Sequence, residues 1–381
     1  MTPETPRLGV YVHWPFCARI CPYCDFNVYR NRGVNAERWR SALIRDLEHW
    51  ASRTRDRKLT SLYFGGGTPS LAPLSVIEGV VEACDRLWGF DTSPEITLEA
   101  NPTDAERDRF ADFARAGVNR LSLGVQSFDD EALKFLGRDH DGVSARQSVE
   151  LALSVFPRMT FDLIYALPGE TAEAWRKSLQ EALALGAPHL SLYQLTIEEG
   201  TAFDKAVTRG RWAPPEDDVA AALFDIAQEE TAKAGLPAYE VSNHAGAGNE
   251  SKHNMLYWTG GDYVGVGPGA HGRLTIGDER LATETHLRPE EYLAAVESEG
   301  YGASLTAPLN AEARLVERLS MGLRLMDGMT LSAREVGTLG ARAARFQQLS
   351  EEGFLSIEGA RLRATADGRR VLNAMLARLL T

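Results

Sequence analysis

Along the first two hundred positions, short apolar runs rich in β-branched and aromatic residues alternate with longer stretches in which apolar residues return every three or four places. The runs "LGVYVHW", "LTSLYFGGG", "EITLEAN", "RLSLGVQS", "MTFDLIYALP" and "HLSLYQLTI" read as strands, and "AERWRSALIRDLEHW", "PLSVIEGVVEACDRLWGF" and "DAERDRFADFARAG" read as amphipathic helices between them. A strand and helix every roughly 25 to 40 residues is the spacing of right-handed βαβ crossovers. About six such units, ending near Ile197, predict an α/β fold, a partial (βα)6 barrel.

The rhythm then changes twice. A further helix is announced by Pro214 and Pro215, and "AYEVSNHAGAGNESKHNMLYWTGGDYVGVGPGAHG" reads as Gly-rich loops around one or two strands, a covering for one end of the barrel. From Leu309, three short helices, a hairpin turning at Gly359-Ala360 and a last helix predict a winged-helix-like α+β module. The expected divisions are 1–235 for the barrel, 236–308 for a linking or lid region and 309–381 for the module.

Charge limits the partners. The chain of 381 residues carries 53 acidic and 41 basic residues, a formal net charge of -12, which argues against a broad nucleic-acid or anionic-membrane surface. Within 309–381, eleven arginines and no lysine face eight acidic residues, a small surplus with no basic stripe on "ARAARFQQLSEEG", so the module is expected to dock or cover rather than bind DNA. No run of 18 apolar residues and no secretory leader pattern occurs, and the expected location is the cytoplasm.

In a βα barrel the chemistry gathers where the strands end. After the first strand comes "CARICPYCDF", with Cys17, Cys21 and Cys24; after the second, Gly65 to Thr68; near the ends of the third to sixth, Glu99 and Asn101, Gln126 and Ser127, Asp162, then Tyr193 and Gln194. Polar residues at the ends of successive apolar strands imply one polar ligand shared between them. In a reducing compartment, three thiols spaced C-x-x-x-C-x-x-C suit three corners of an iron-sulfur cubane, leaving one iron without a protein ligand. A closed zinc site is the alternative, with His13 or Cys84 as the fourth donor.

These residues resemble the radical S-adenosylmethionine (radical SAM) superfamily, on the cysteine loop after the first strand and "GGGTP" after the second. The stretches "YVHWPFCARICPYCDF", "YFGGGTPS", "TLEANP", "LSLGVQSF", "LGRDHD" and "FDLIYALPGET" resemble its branch of oxygen-independent coproporphyrinogen-oxidase-like proteins over nearly the whole chain. The resemblance implies a 4Fe-4S cluster on Cys17, Cys21 and Cys24. It also implies SAM bound by Tyr11, Gly66, Gly67, Thr68, Glu99, Gln126, Arg138 and Asp162, with the glycine loop offering its backbone.

Two departures separate the chain from the oxidases of that branch. Phe26 stands where they carry a further cysteine, and 16 residues precede Cys17 where they carry a longer arm. Both features resemble the HemW heme chaperone family, as does "HNMLYW" at 253–258. That resemblance implies heme as a third cofactor, with His253, Tyr257 and Trp258 as candidate contacts and His244 and His271 as rival ligands; His253 and Trp258 would alternatively pin the lid. It further implies delivery to apo-cytochromes or other respiratory heme proteins, peripheral contact with the membrane, and a homodimer. Decarboxylation of a porphyrinogen is the enzymatic alternative, against which Phe26 counts.

Overall fold

The computed structural model describes residues 7–31, 33–340 and 342–380. Eleven strands form one sheet: β1 (Arg7–Trp14), β2 (Lys58–Gly66), β3 (Phe90–Ala100), β4 (Arg120–Gln126), β5 (Arg158–Tyr165), β6 (His189–Gln194), β7 (Asn243–Ala245), β8 (Asp262–Val266), β9 (His271–Ile276), β10 (Glu279–Thr285) and β11 (Ala303–Pro308). Their spatial order is β11-β10-β9-β8-β1-β2-β3-β4-β5-β6-β7. The strands from β8 through β6 run parallel, and antiparallel strands finish both edges.

The six anticipated strands are all present, and the seventh parallel one comes from the Gly-rich stretch. β8 lies beside β1, pairing Leu8 with Asp262 and Val12 with Val266. Segment 236–308 thus adds five strands to the sheet rather than lying loose over it. Glycine makes this approach possible: a Cβ at Gly267, where φ is +92°, would stand 2.2 Å from the His13 carbonyl oxygen.

Side chains alternate between the faces of a strand, and here the two faces differ sharply. Leu62, Phe64, Leu98, Leu121, Leu123, Met159, Phe161, Leu163, Leu190 and Leu192 belong to the main hydrophobic core. It is completed by helices α1 (Ala36–Ala51), α2 (Leu74–Trp88), α3 (Gly142–Val155), α4 (Ala172–Ala184) and α5 (Asp217–Lys233). The alternate positions are polar: Ser61 on β2, Glu95, Thr97 and Glu99 on β3, Arg120 and Ser122 on β4, Thr160 and Asp162 on β5, His189 and Ser191 on β6. A parallel sheet is ordinarily apolar on both faces, so this polar inner face marks a surface meant for a ligand or an internal network.

The C-terminal module has its own core, formed by Leu315, Leu319, Met329, Phe346, Leu349, Leu355, Leu362 and Leu376 among others. After α6 (Lys252–Trp258) and α7 (Pro289–Glu299), it is built from α8 (Ala311–Gly322), β12 (Met329–Thr330), α9 (Ala333–Thr338), α10 (Arg342–Glu351), β13 (Leu355–Glu358), β14 (Arg361–Ala364) and α11 (Leu372–Leu380). The hairpin β13–β14 and β12 make a three-stranded sheet, the helix and wing order read from the sequence. No helix among the described residues is long and apolar enough to cross a membrane.

Candidate functional site

A cavity of about 1150 Å³ opens at the carboxyl ends of the parallel strands. Its lining includes Cys17, Cys21 and Cys24, together with Gly66, Gly67, Thr68, Glu99, Gln126, Arg138 and Asp162. The structure therefore brings together every candidate cluster and SAM residue except Tyr11.

The cysteine loop is held at both ends. A short parallel ladder pairs Phe16 with Tyr29 and Cys17 with Arg30, and the Asn31 amide donates to the Cys17 carbonyl at 2.9 Å. Tyr11 works from behind: its hydroxyl meets His13 Nδ1 at 3.0 Å, and His13 Nε2 meets the Asn27 carbonyl at 3.0 Å. Asn27 in turn donates to the carbonyls of Pro268 and Leu287. His13 is thus a satisfied core residue that ties β1 to the loop, and Cys84 is a buried thiol within α2; neither approaches the role of a fourth zinc donor. All four cysteines are free thiols, and among the described residues no three such side chains converge on a point suited to a single ion.

The glycine loop is anchored through its own backbone. Its amides are already engaged: Gly66 donates to Glu99 at 3.1 Å, Gly67 to the Trp14 carbonyl at 2.7 Å and Thr68 to the Phe16 carbonyl at 2.9 Å. These donors clamp the loop to the cysteine segment and to β3. What remains open is an acceptor, since the Gly67 carbonyl has no hydrogen-bond partner among the described residues. Glycine is needed here for space: a Cβ on Gly66 (φ +109°) would fall 2.6 Å from the His13 ring, and one on Gly67 would stand 3.0 Å from the Cys17 sulfur.

Two half-buried carboxylates face the cavity. Glu99 accepts from the Tyr63 hydroxyl at 2.8 Å as well as from Gly66. Burial, strengthened by the nearby Asp162, pushes its acid up to about 7. Burial likewise raises Asp162 to about 7, with Ser191 working against it, and Asp162 Oδ1 is buried without a partner. Arg138 is the cation on this wall, donating to Cys21 Sγ at 3.2 Å, to the Gly124 carbonyl at 2.9 Å and to Asn101. Gln126 adopts a left-handed backbone at φ +68°, a strained geometry that non-glycine residues hold chiefly at functional positions. Carboxylates, a bare carbonyl and a guanidinium on one wall suit a ligand carrying both an ammonium and a carboxylate.

The "HNMLYW" element is a helix, α6, and it plugs the other end of the barrel. Ser251 caps it by accepting the Asn254 amide. His253 is 1% exposed; its Nδ1 meets Ser61 at 2.8 Å and its Nε2 meets the Tyr257 hydroxyl at 2.7 Å. Its amide donates to Glu95 at 3.1 Å, four residues before Glu99 on β3 and so roughly 13 Å away along the strand. Burial lowers His253 to about 3. It is therefore not an open ligand facing the cavity but a pin for the barrel floor, with Tyr257 bound to it and Trp258 lying under the Arg324 guanidinium at 5.7 Å. Of the rivals, His244 is buried against Thr231 at 2.8 Å, whereas His271 is exposed beside Glu284.

Sequence reading missed several participants. Tyr63, which holds Glu99, and Ser122, which lines the cavity, were marked by period-2 polarity within apolar strands. Arg324, Phe354 and Arg369 of the C-terminal module also line the cavity; no local pattern distinguishes them.

The comparisons agree with this geometry. Residues 11–182 match the family model of the radical SAM superfamily. The chain is 39% identical over 384 residues to the radical S-adenosyl methionine domain-containing protein 1, mitochondrial, of Danio rerio, covering 98% of this chain and 86% of that protein. It is 39% identical over 289 residues to the heme chaperone HemW of Escherichia coli, covering 75% of each. In fold, the solved structure of coproporphyrinogen III oxidase (HemN) from Escherichia coli gives a TM-score of 0.83 at 22% identity, covering 100% of this chain and 91% of that one. With its thiol loop, glycine clamp and paired carboxylates at the strand ends, this chain belongs to the radical SAM superfamily, in its HemW-like branch.

Proposed function

We propose that the chain is a heme chaperone on a radical SAM scaffold, holding a 4Fe-4S cluster and SAM at the barrel mouth and carrying heme to apo-cytochromes or related acceptors. The observation that carries the reading is a cavity of about 1150 Å³ with all three thiols on its lining. It stands at the top of the roughly 300–1,000 Å³ of ordinary ligand sites, which supports a second ligand beside SAM. The name of the Escherichia coli relative supports heme as that ligand.

The residues fit the two resident cofactors. Thiolates of Cys17, Cys21 and Cys24 would hold three irons, and the absent side chain at Gly67 leaves the space beside Cys17 clear. Arg138 would receive the SAM carboxylate, the Gly67 carbonyl its ammonium, and Glu99 and Asp162 its remaining donors. When bound, the cluster supplies an open iron and an electron toward SAM. The chain's own contribution is orientation: the Tyr11–His13–Asn27 links set the loop, and Tyr63 aims Glu99.

In the same reading a second copy of the chain and a membrane-bound acceptor are the macromolecular partners. With a net charge of -12, contact at the membrane runs through the acceptor protein rather than through anionic lipid. The test is anaerobic reconstitution followed by heme titration and transfer to an apo-cytochrome. A Soret band saturating at one heme per chain, then lost to the acceptor, is the expected result. No saturable band, with 5′-deoxyadenosine and decarboxylated porphyrinogen formed instead, would overturn it in favour of an oxidase.

A further inference from the structure

The cavity has two chemically different walls. The barrel wall carries the thiols, carboxylates and Arg138. The other wall comes from α5, the segment after it and the C-terminal module, where Phe224, Val241, Phe354 and Leu372 present apolar surface, Arg324 and Arg369 present cationic charge, and Asp217, Asp218 and Asp367 present acidic groups.

These two arginines lack the partners a half-buried guanidinium ordinarily finds. The Arg324 guanidinium makes no hydrogen bond or ion pair among the described residues, although the buried Glu240 carboxylate stands within electrostatic reach of it; it lies over the Trp258 ring, a contact that fixes one face and leaves its donors unused. Arg369 gives one donor to the Ala364 carbonyl at 3.0 Å, while its Nε is buried with no partner. Its charged neighbours are two further cations, Arg363 and Arg370. Arg370 shows the contrast, since Asp225 and Asp367 both pair with it. Two guanidinium forks with donors to spare, beside half-buried aromatic surface, form the complement of a flat apolar ring that bears carboxylates.

We propose that the C-terminal module is the carboxylate-reading end of the cavity, with Arg324 and Arg369 receiving the two propionates of a heme whose ring lies along Phe224 and Phe354. The inference rests on the heme reading given above and assigns that ligand a site that His253 does not line. The module then acts as a specificity element: it accepts porphyrins by their acid groups, and SAM remains on the barrel wall.

The test titrates the full-length protein with heme and with heme dimethyl ester, which keeps the iron and ring but removes both anionic charges, reading the Soret band. Wild-type protein is expected to bind heme at least about tenfold more tightly than the ester, the size of a lost charge-assisted contact. Arg324→Gln and Arg369→Gln should each weaken heme by about tenfold and change the ester by less than about twofold. Equal affinity of the wild type for heme and ester overturns the proposal while the heme reading stands, and this comparison decides the matter even where a variant fails to fold. Saturable binding of neither ligand overturns both.

Discussion

The Arg138 guanidinium donates to the Cys21 sulfur at 3.2 Å and, with its other nitrogen, to the Gly124 carbonyl on β4 at 2.9 Å. One side chain thereby joins the thiol loop to a strand end more than a hundred residues away and stands as the cation on the wall where two carboxylates also lie. Arg138→Met should lower SAM affinity by roughly 10- to 100-fold, the value of a charged hydrogen-bonding pair. Arg138→Lys should recover only part of this, because an ammonium cannot reproduce the fork. Equilibrium dialysis of the reconstituted protein measures both.

Glu99 links stability to ligand binding through its proton. Burial favours the neutral acid, so the folded chain holds this proton more tightly than the unfolded chain does. The stability this contributes is complete below the ordinary glutamate value of 4.5 and is lost as pH rises through about 7. Glu99→Gln should therefore stabilise the ligand-free protein by about 2 kcal/mol at pH 8 and by little at pH 5. Denaturant unfolding at the two pH values measures the difference; equal effects at both would show that the carboxylate carries no such penalty.

Ligand affinity should move the opposite way with pH. Deprotonated Glu99 and Asp162 accept hydrogen bonds from an ammonium or hydroxyls better than the neutral acids do, so SAM should bind more tightly at pH 8 than at pH 6. The Glu99→Gln variant should bind about tenfold more weakly at pH 8 and show a flatter profile.

Gly66 is constrained twice, by its positive φ and by the His13 ring that would meet a Cβ at 2.6 Å. Gly66→Ala should cost at least about 2 kcal/mol in stability. Because His13 also holds the Asn27 carbonyl, the variant should reconstitute with markedly less iron per chain. Iron analysis alongside thermal unfolding separates this from a purely local strain, which would leave the iron content unchanged.

His253→Ala should destabilise the chain by about 1–3 kcal/mol, since it leaves a hole and unpairs Ser61 and Tyr257 in the barrel floor. Its heme stoichiometry should match that of the wild type. Loss of the Soret band at unchanged stability would instead place the iron ligand at this histidine.

Glu95→Ala should be more costly, by about 3–5 kcal/mol. Glu95 is fully buried against Arg120 at 3.3 Å and also lies 3.4 Å from Arg158, so its removal leaves two guanidinium groups inside the barrel without their carboxylate. Chemical denaturation reads the loss.

Local pattern determined a good deal of this protein. Six strand runs, the helices between them and the helix and wing order of the last seventy residues follow from apolar periodicity and turn residues, which act over a few neighbouring positions. The three-thiol loop, the glycine loop and the acids at strand ends were legible for the same reason, because each occupies a fixed place in a repeated unit. Other features depended on contacts between distant segments. That β8 would pair with β1, that "HNMLYW" would fold as a helix into the barrel floor and that His253 would spend both nitrogens there were settled by the space between strands. The use of the glycine-loop amides as clamps was likewise decided by Trp14, Phe16 and Glu99 arriving from other strands. Arg324 and Arg369 gain their meaning only when the C-terminal module closes over the cavity, since nothing within a few residues of either one carries that information.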